Sequence, residues 1–168
     1  LTSKAYYLLQ QKKYEEAIKA ADEGINSEDK HSKVFFYTNK GVALTNLKNY
    51  QKAIETYNEG LKYYPRNYLL WFNKGVVFEA MGDVNKAIQA YTESITLNPM
   101  NRKPHLQLGN IFYKQERLTQ ALMCFNLYVL LAPDANGTIG ILKSLNNIVV
   151  AKNSNVRNEN LELLEADD

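Results

Sequence analysis

Three carboxamide side chains, Asn39, Asn73 and Gln107, recur at a fixed step of 34 residues. A carboxamide donates and accepts hydrogen bonds, so a row of them suits the main chain of an extended polypeptide without dictating its side chains. Other chemistry finds little support. His31 and His105 have no partners at nucleophile or metal spacing. His31 falls in an expected loop, and His105 at an expected helix-packing position. Cys124 sits in the run Leu122-Met123-Cys124-Phe125 and reads as a small buried apolar residue. As the single cysteine it excludes an internal disulfide and a cysteine cluster for zinc. The glycines follow a repeat rather than a phosphate-cradling loop. Neither a cofactor nor a metal is expected, and the chain reads as no enzyme. Asn136-Gly137-Thr138 matches a glycosylation acceptor but is better read as a helix entry.

The composition sets the limits within which such amides are positioned. The 168 residues are 45% hydrophobic and 23% charged, enough apolar material for a continuous core and a normal share of charge. A net charge of +2 gives no electrostatic case for nucleic acid, and the 12 tyrosines recur at packing positions rather than among arginines. No apolar run approaches the roughly 18–20 residues needed to span a bilayer. A soluble chain is expected, cytoplasmic being favoured. The opening Leu1 leaves room for an upstream signal that has been removed.

The elements that carry the amides repeat with them. Tyr37-Thr38-Asn39-Lys40-Gly41, Trp71-Phe72-Asn73-Lys74-Gly75 and His105-Leu106-Gln107-Leu108-Gly109 align without gaps at the 34-residue step. Ala53, Ala87 and Ala121 recur downstream, as do Tyr57, Tyr91 and Phe125, then Pro65, Pro99 and Pro133. A degenerate first copy places Tyr14, Ala17 and Ala21 ahead of them, with a loop around Glu28 to Ser32 longer by two residues. Each copy reads as two amphipathic helices, since Tyr37, Leu44 and Leu47 share one helical face and Ala53, Ile54 and Tyr57 begin the next. A glycine costs about 1 kcal/mol in a helix interior, so Gly41, Gly75 and Gly109 point to close helix crossings. Ala53, Ala87 and Ala121 are the expected partners of those glycines. The prolines halt the second helix of each pair.

These residues resemble the tetratricopeptide repeat family. Its Trp-x-x-Leu-Gly-x-x-Tyr, Ala-x-x-x-Phe and Pro pattern reads here as Trp71, Lys74, Gly75, Phe78, Ala87, Tyr91 and Pro99, and again as His105, Leu108, Gly109, Phe112, Ala121, Phe125 and Pro133. Lys40 and Lys74 replace the family's leucine, and the first copy is poorer, with Ala5 for glycine and Asp29 for proline. The resemblance implies an all-α, right-handed α-solenoid of antiparallel helix pairs: about four units (1–30, 31–66, 67–100 and 101–134). A capping helix is expected over 135–152, with Ile141, Leu142, Leu145, Ile148 and Val149 on one stripe. Residues 153–168 form an acidic polar tail, mobile or weakly helical, whose Leu161, Leu163 and Leu164 could dock in a groove.

In this architecture the first helix of each pair lines a concave groove. The resemblance then places inward Tyr6 and Gln10; Phe35, Thr38, Asn39, Val42 and Asn46; Leu69, Phe72, Asn73, Val76 and Ala80; and Lys103, Leu106, Gln107, Asn110 and Lys114. The amides would meet a peptide main chain, with Val42, Phe72, Val76 and Leu106 holding apolar side chains between them and Lys103 and Lys114 making one end basic. An equally good reading gives the amides a packing or capping role. A family subtype clamps a chaperone tail carboxylate with two lysines, two asparagines and an arginine. Asn73 and Lys103 match it, but Thr38, Val42 and Gln107 do not, and that subtype is rejected. The expected function is a non-enzymatic protein-interaction scaffold holding an extended peptide or a helix of a partner protein. The alternative is a homo-oligomer joined through the rod's ends or its tail, favoured by the thin first helix pair.

Overall fold

The 34-residue period takes the form of successive helix pairs in the computed structural model, which describes residues 2–27, 33–131, 140–141, 143 and 145–150. The fold is all-α, with no strand among the described residues. Two compact units are present, Leu1–Pro99 and Met100–Asp168.

The first unit contains α1 (Thr2–Gln10), α2 (Tyr14–Ile25), α3 (Lys33–Asn46), α4 (Tyr50–Tyr63), α5 (Tyr68–Ala80) and α6 (Val84–Leu97). Each helix packs on the next, and α3 also touches both α1 and α5, so the first helices of successive pairs form a row of their own. The second unit holds α7 (Arg102–Lys114) packed on α8 (Leu118–Leu131), followed by helical residues at 140–141, 143 and 145–150, where Leu145 and Ile148 are buried. The remainder of the segment expected as a cap lies outside the described residues. So do His31, Pro133, Asn136 to Thr138 and the tail over 153–168.

One contact recurs in the last three helix pairs. A methyl group added at Gly75 would come within 2.6 Å of the Tyr91 ring, and one at Gly109 within 2.5 Å of the Phe125 ring. Gly41 meets the Tyr57 ring in the same way. The residue facing each glycine is therefore the aromatic of the second helix, not the alanine expected from the sequence. Ala53, Ala87 and Ala121 are themselves fully buried. The ring occupies the space a side chain at the glycine would need, while the small, buried alanine one turn earlier lets the helices come that close.

The turns are equally regular. Lys12, Lys48, Gly82 and Glu116 stand at one repeat position and all have positive φ, between 59° and 79°. In the second repeat Lys48 N–H donates to the Thr45 carbonyl (3.0 Å) and Asn49 N–H to the Leu44 carbonyl (2.9 Å). This paired bond is the Schellman closure of a helix end. Between pairs, Asn67 accepts from the Leu69 and Leu70 amides and Asn101 from the Lys103 amide, so each asparagine starts a first helix.

Candidate functional site

In the first unit, α3 and α5 bring Asn39, Val42, Asn73 and Val76 to adjacent helices at the same phase, all half-buried. The Asn39 carboxamide has no hydrogen-bond partner among the described residues. Asn73 differs, because its Nδ2 donates to the Leu69 carbonyl one turn back at 2.9 Å. Asn46 does the same to Val42 (2.9 Å), and the Thr38 hydroxyl donates to Val34 (2.8 Å). Part of the amide chemistry thus serves the helix that carries it. Phe72 is buried, with its ring centroid 5.7 Å from that of Tyr91, and so belongs to the core between α5 and α6. Of the outlying positions, Tyr6 and Phe35 are 53% and 55% exposed, which leaves α1 and α3 with open aromatic faces.

In the second unit the corresponding set lies on α7. Lys103 and Lys114 are exposed, and Leu106, Gln107 and Asn110 are half-buried. His105 is buried, at the packing position expected for it. Two cations of this unit lie over rings, Arg102 above Tyr128 (5.7 Å) and Arg117 above Phe112 (4.4 Å). Cys124 is half-buried, and burial raises its thiol pKa, which disfavours the reactive thiolate. Among the described residues no group of three or more His, Cys, Asp and Glu could hold a metal ion, and no helix is long and apolar enough to cross a membrane.

Sequence reasoning missed a cleft of about 860 Å³ in the first unit, lined by Ile25, Asn26, Lys33, Tyr37, Glu59, Tyr63 and Tyr64. It lies where the end of α2 meets the start of α3 and the end of α4, away from Asn39 and Asn73. The Tyr37 hydroxyl donates to Glu59 Oε1 at 3.2 Å, and the Tyr37 and Tyr63 rings are nearly parallel (17°) with centroids 6.3 Å apart. Burial first, and then the Glu59 charge, push the Tyr37 phenol well above its ordinary pKa, so it acts as a donor. Its lining comes from the end of the first copy and both helices of the second, so no single copy of the repeat carries a signal for it.

The model of the tetratricopeptide repeat matches residues 34–67 and 68–101. No curated protein sequence matches the chain. Among solved structures, MamA 41-end from Desulfovibrio magneticus RS-1 is 21% identical with a TM-score of 0.70, covering 96% of this chain and 89% of its own. The first TPR of Spaghetti (RPAP3), bound to the HSP90 peptide SRMEEVD, is 20% identical with a TM-score of 0.63, covering 71% and 93%. The Arabidopsis OM64 TPR domain is 23% identical with a TM-score of 0.62, covering 68% and 94%. At such identities the likeness is one of fold. Residues 34–101 are thus two tetratricopeptide repeats, and the chain shares the helix-pair fold of these structures.

Proposed function

We propose that this chain is a non-enzymatic interaction scaffold that holds an extended peptide or a helix of a partner protein along its row of first helices. The observation that carries this reading is the face shared by α3 and α5. There the Asn39 amide, without a partner among the described residues, stands among half-buried Val42, Val76 and Asn73, a surface offering main-chain hydrogen bonds and shallow apolar seats together. The RPAP3 structure, with its bound HSP90 peptide, supports the mode of binding for that fold. The peptide class here is a different one, because Thr38 and Val42 stand where a carboxylate clamp needs a lysine and an asparagine. On α7, Lys103, Leu106, Gln107, Asn110 and Lys114 make a second surface of this kind with two exposed cations.

Panning the chain against a display library of extended peptides, followed by calorimetry on the selected sequences, tests the proposal. The Asn39→Ala, Asn73→Ala double variant should keep its helical circular dichroism and lose at least about tenfold in affinity. Unchanged affinity would remove the amides from the site, and an unfolded variant would assign them to the fold alone.

A further inference from the structure

The outer face of the second helices changes character once. In the second repeat it presents Glu55, Glu59 and Lys62, and 34 residues on, in the third, it presents Gln89, Glu93 and Thr96, all exposed. A further 34 residues on, the same positions of α8 are Met123, Leu127 and Leu130, which are 62%, 42% and 76% exposed. Spaced i, i+4, i+7, they form a single stripe about 10 Å long on one side of the helix. The core-facing residues of α8, Ala121, Phe125 and Tyr128, are buried on another side, so packing among the described residues does not account for the stripe. Nor does helix formation, because α4 and α6 form with polar residues at those places.

We propose that this stripe is a self-association surface, and that its occupant is α8 of a second copy of the chain. No charged residue occurs from Leu118 to Leu131. Two such helices can therefore meet face to face without placing like charges together, a condition that α4 or α6 would fail by opposing Glu59 or Glu93 to itself. The stripe is also self-complementary under a twofold axis. With the two helices antiparallel, Leu127 meets Leu127 of the second copy, and Met123 of each faces Leu130 of the other, the isologous arrangement of a closed dimer. Three side chains of this size offer on the order of 300 Å² per copy, a patch of functional size on a monomer. Even with a rim, that puts the pair at the low end of specific interfaces, about 1,000 Å² in all, so the dimer is weak and concentration-dependent. This inference uses α8 alone and does not depend on the peptide-binding reading of α3 and α5.

Sedimentation velocity and light scattering of the full chain, from about 5 to about 500 µM with reductant present to keep Cys124 out of disulfides, test it. The weight-average mass should climb from 19.3 kDa toward twice that value. The triple variant Met123→Gln, Leu127→Glu, Leu130→Thr carries the residues that α6 already accommodates at those positions. It should keep its circular dichroism and stay at 19.3 kDa throughout, its dissociation constant raised more than about tenfold. If the triple variant loses helicity, Leu130→Lys, at the most exposed of the three, replaces it with the same expectation. A wild-type chain that is monomeric at the highest concentration overturns the proposal, and so does a folded variant that associates as the wild type does. The first result would hand the stripe to another part of the chain or to a foreign helix.

Discussion

Tyr37 and Trp71 open the same position of successive repeats, yet they are anchored differently. Tyr37 donates to Glu59 on α4, whereas the Trp71 indole donates to the Pro65 carbonyl at 3.1 Å, in the turn just before its own helix. The lysines that follow diverge as well. Lys40 pairs with Asp22 of the preceding helix at 2.7 Å. Lys74 has Asn58 at that place instead and lies over the Trp71 and Phe78 rings at 4.8 and 5.8 Å, where burial lowers its pKa. Beneath these differences the glycine–aromatic contact of Gly41 with Tyr57 repeats as Gly75 with Tyr91. The comparison separates two kinds of constraint. Helix crossing admits one solution per repeat, while the solvent side and the loop corner accept several.

Alkaline titration should show the largest effect and weigh the two repeats against each other. Burial raises the pKa of Tyr57, and burial together with a carboxylate partner raises Tyr37 and Tyr91, whose hydroxyls reach Glu59 and Glu79. A phenol whose folded pKa lies above its unfolded value of about 10 stabilises the fold fully below that pH, and the stability is lost as pH rises past it. Each such tyrosine can remove up to about 1.4 kcal/mol per pH unit, so three together should produce a steep loss above pH 10. Lys74 works in the opposite sense, since its lowered pKa makes the fold gain stability as pH rises toward 10.5, but it is one group against three. Urea melts at pH 9, 10 and 11, followed by circular dichroism, measure the slope. Tyr37→Phe with Tyr57→Phe should flatten it by about twice as much as Tyr91→Phe. Equal flattening would mean that the second repeat holds only one phenol in this state.

Gly41→Ala and Gly75→Ala come next. A methyl in either place strikes an aromatic ring with no room to retreat, and each should cost about 3 kcal/mol in denaturant midpoint measurements. Gly60→Ala is the control, because its methyl would sit 3.1 Å from Leu70 and Tyr37 atoms. Slight adjustment there is offset by the helix propensity of alanine, leaving the variant within about 1 kcal/mol of wild type. A tolerated Gly75→Ala beside a damaging Gly41→Ala would break the equivalence of the two cores.

The different anchors should then separate Trp71→Phe from Tyr37→Phe at neutral pH. The first removes the bond to Pro65 and the seat of Lys74, costing about 2 kcal/mol, and the second removes one hydroxyl from a partly wet pair, costing about 1 kcal/mol. Thermal melts of both variants decide it. A larger loss for Tyr37→Phe would mean that the Glu59 bond, not the indole, is the stronger corner.

The same division explains what the sequence disclosed. The step, the glycines, the aromatics and the helix pairs were legible because steric crowding repeats with the chain, and a repeated constraint leaves a repeated letter. Contacts were less so. Spacing could nominate Ala53 or Tyr57 to face Gly41, but only the crossing geometry selects the ring. Phe72 has the phase of an open position, yet its ring reaches Tyr91. Asn39 and Asn73 are indistinguishable by position, and one of them bonds to its own helix while the other has no described partner. The cleft beside Tyr37 left no motif, since Ile25 and Asn26 of its lining belong to one copy of the repeat and Lys33, Glu59, Tyr63 and Tyr64 to the next. The apolar outer stripe of α8 is a break in the period, and a feature that occurs once leaves no repeated letter.

The smallest expected effect lies in the turns, where the second and third repeats differ by a single choice. Lys48 and Gly82 occupy the same left-handed position, at φ 60° and 79°. A side chain there carries a backbone penalty of about 1 kcal/mol or somewhat more, and glycine avoids it but gives up entropy in the unfolded chain. Lys48→Gly should therefore stabilise the protein by about 0.5 kcal/mol. Gly82→Ala should destabilise it by about 1 kcal/mol, and by the backbone term alone, because nothing lies within 4 Å of the added methyl. Lys48 is exposed, so neither change disturbs a packed contact. Opposite shifts in urea midpoint, at unchanged slope, would show that the two turns are one structure written with different residues. If both variants moved the midpoint the same way, the closure after α3 would owe its geometry to something other than the backbone, and the repeats would differ in their turns as well as on their surfaces.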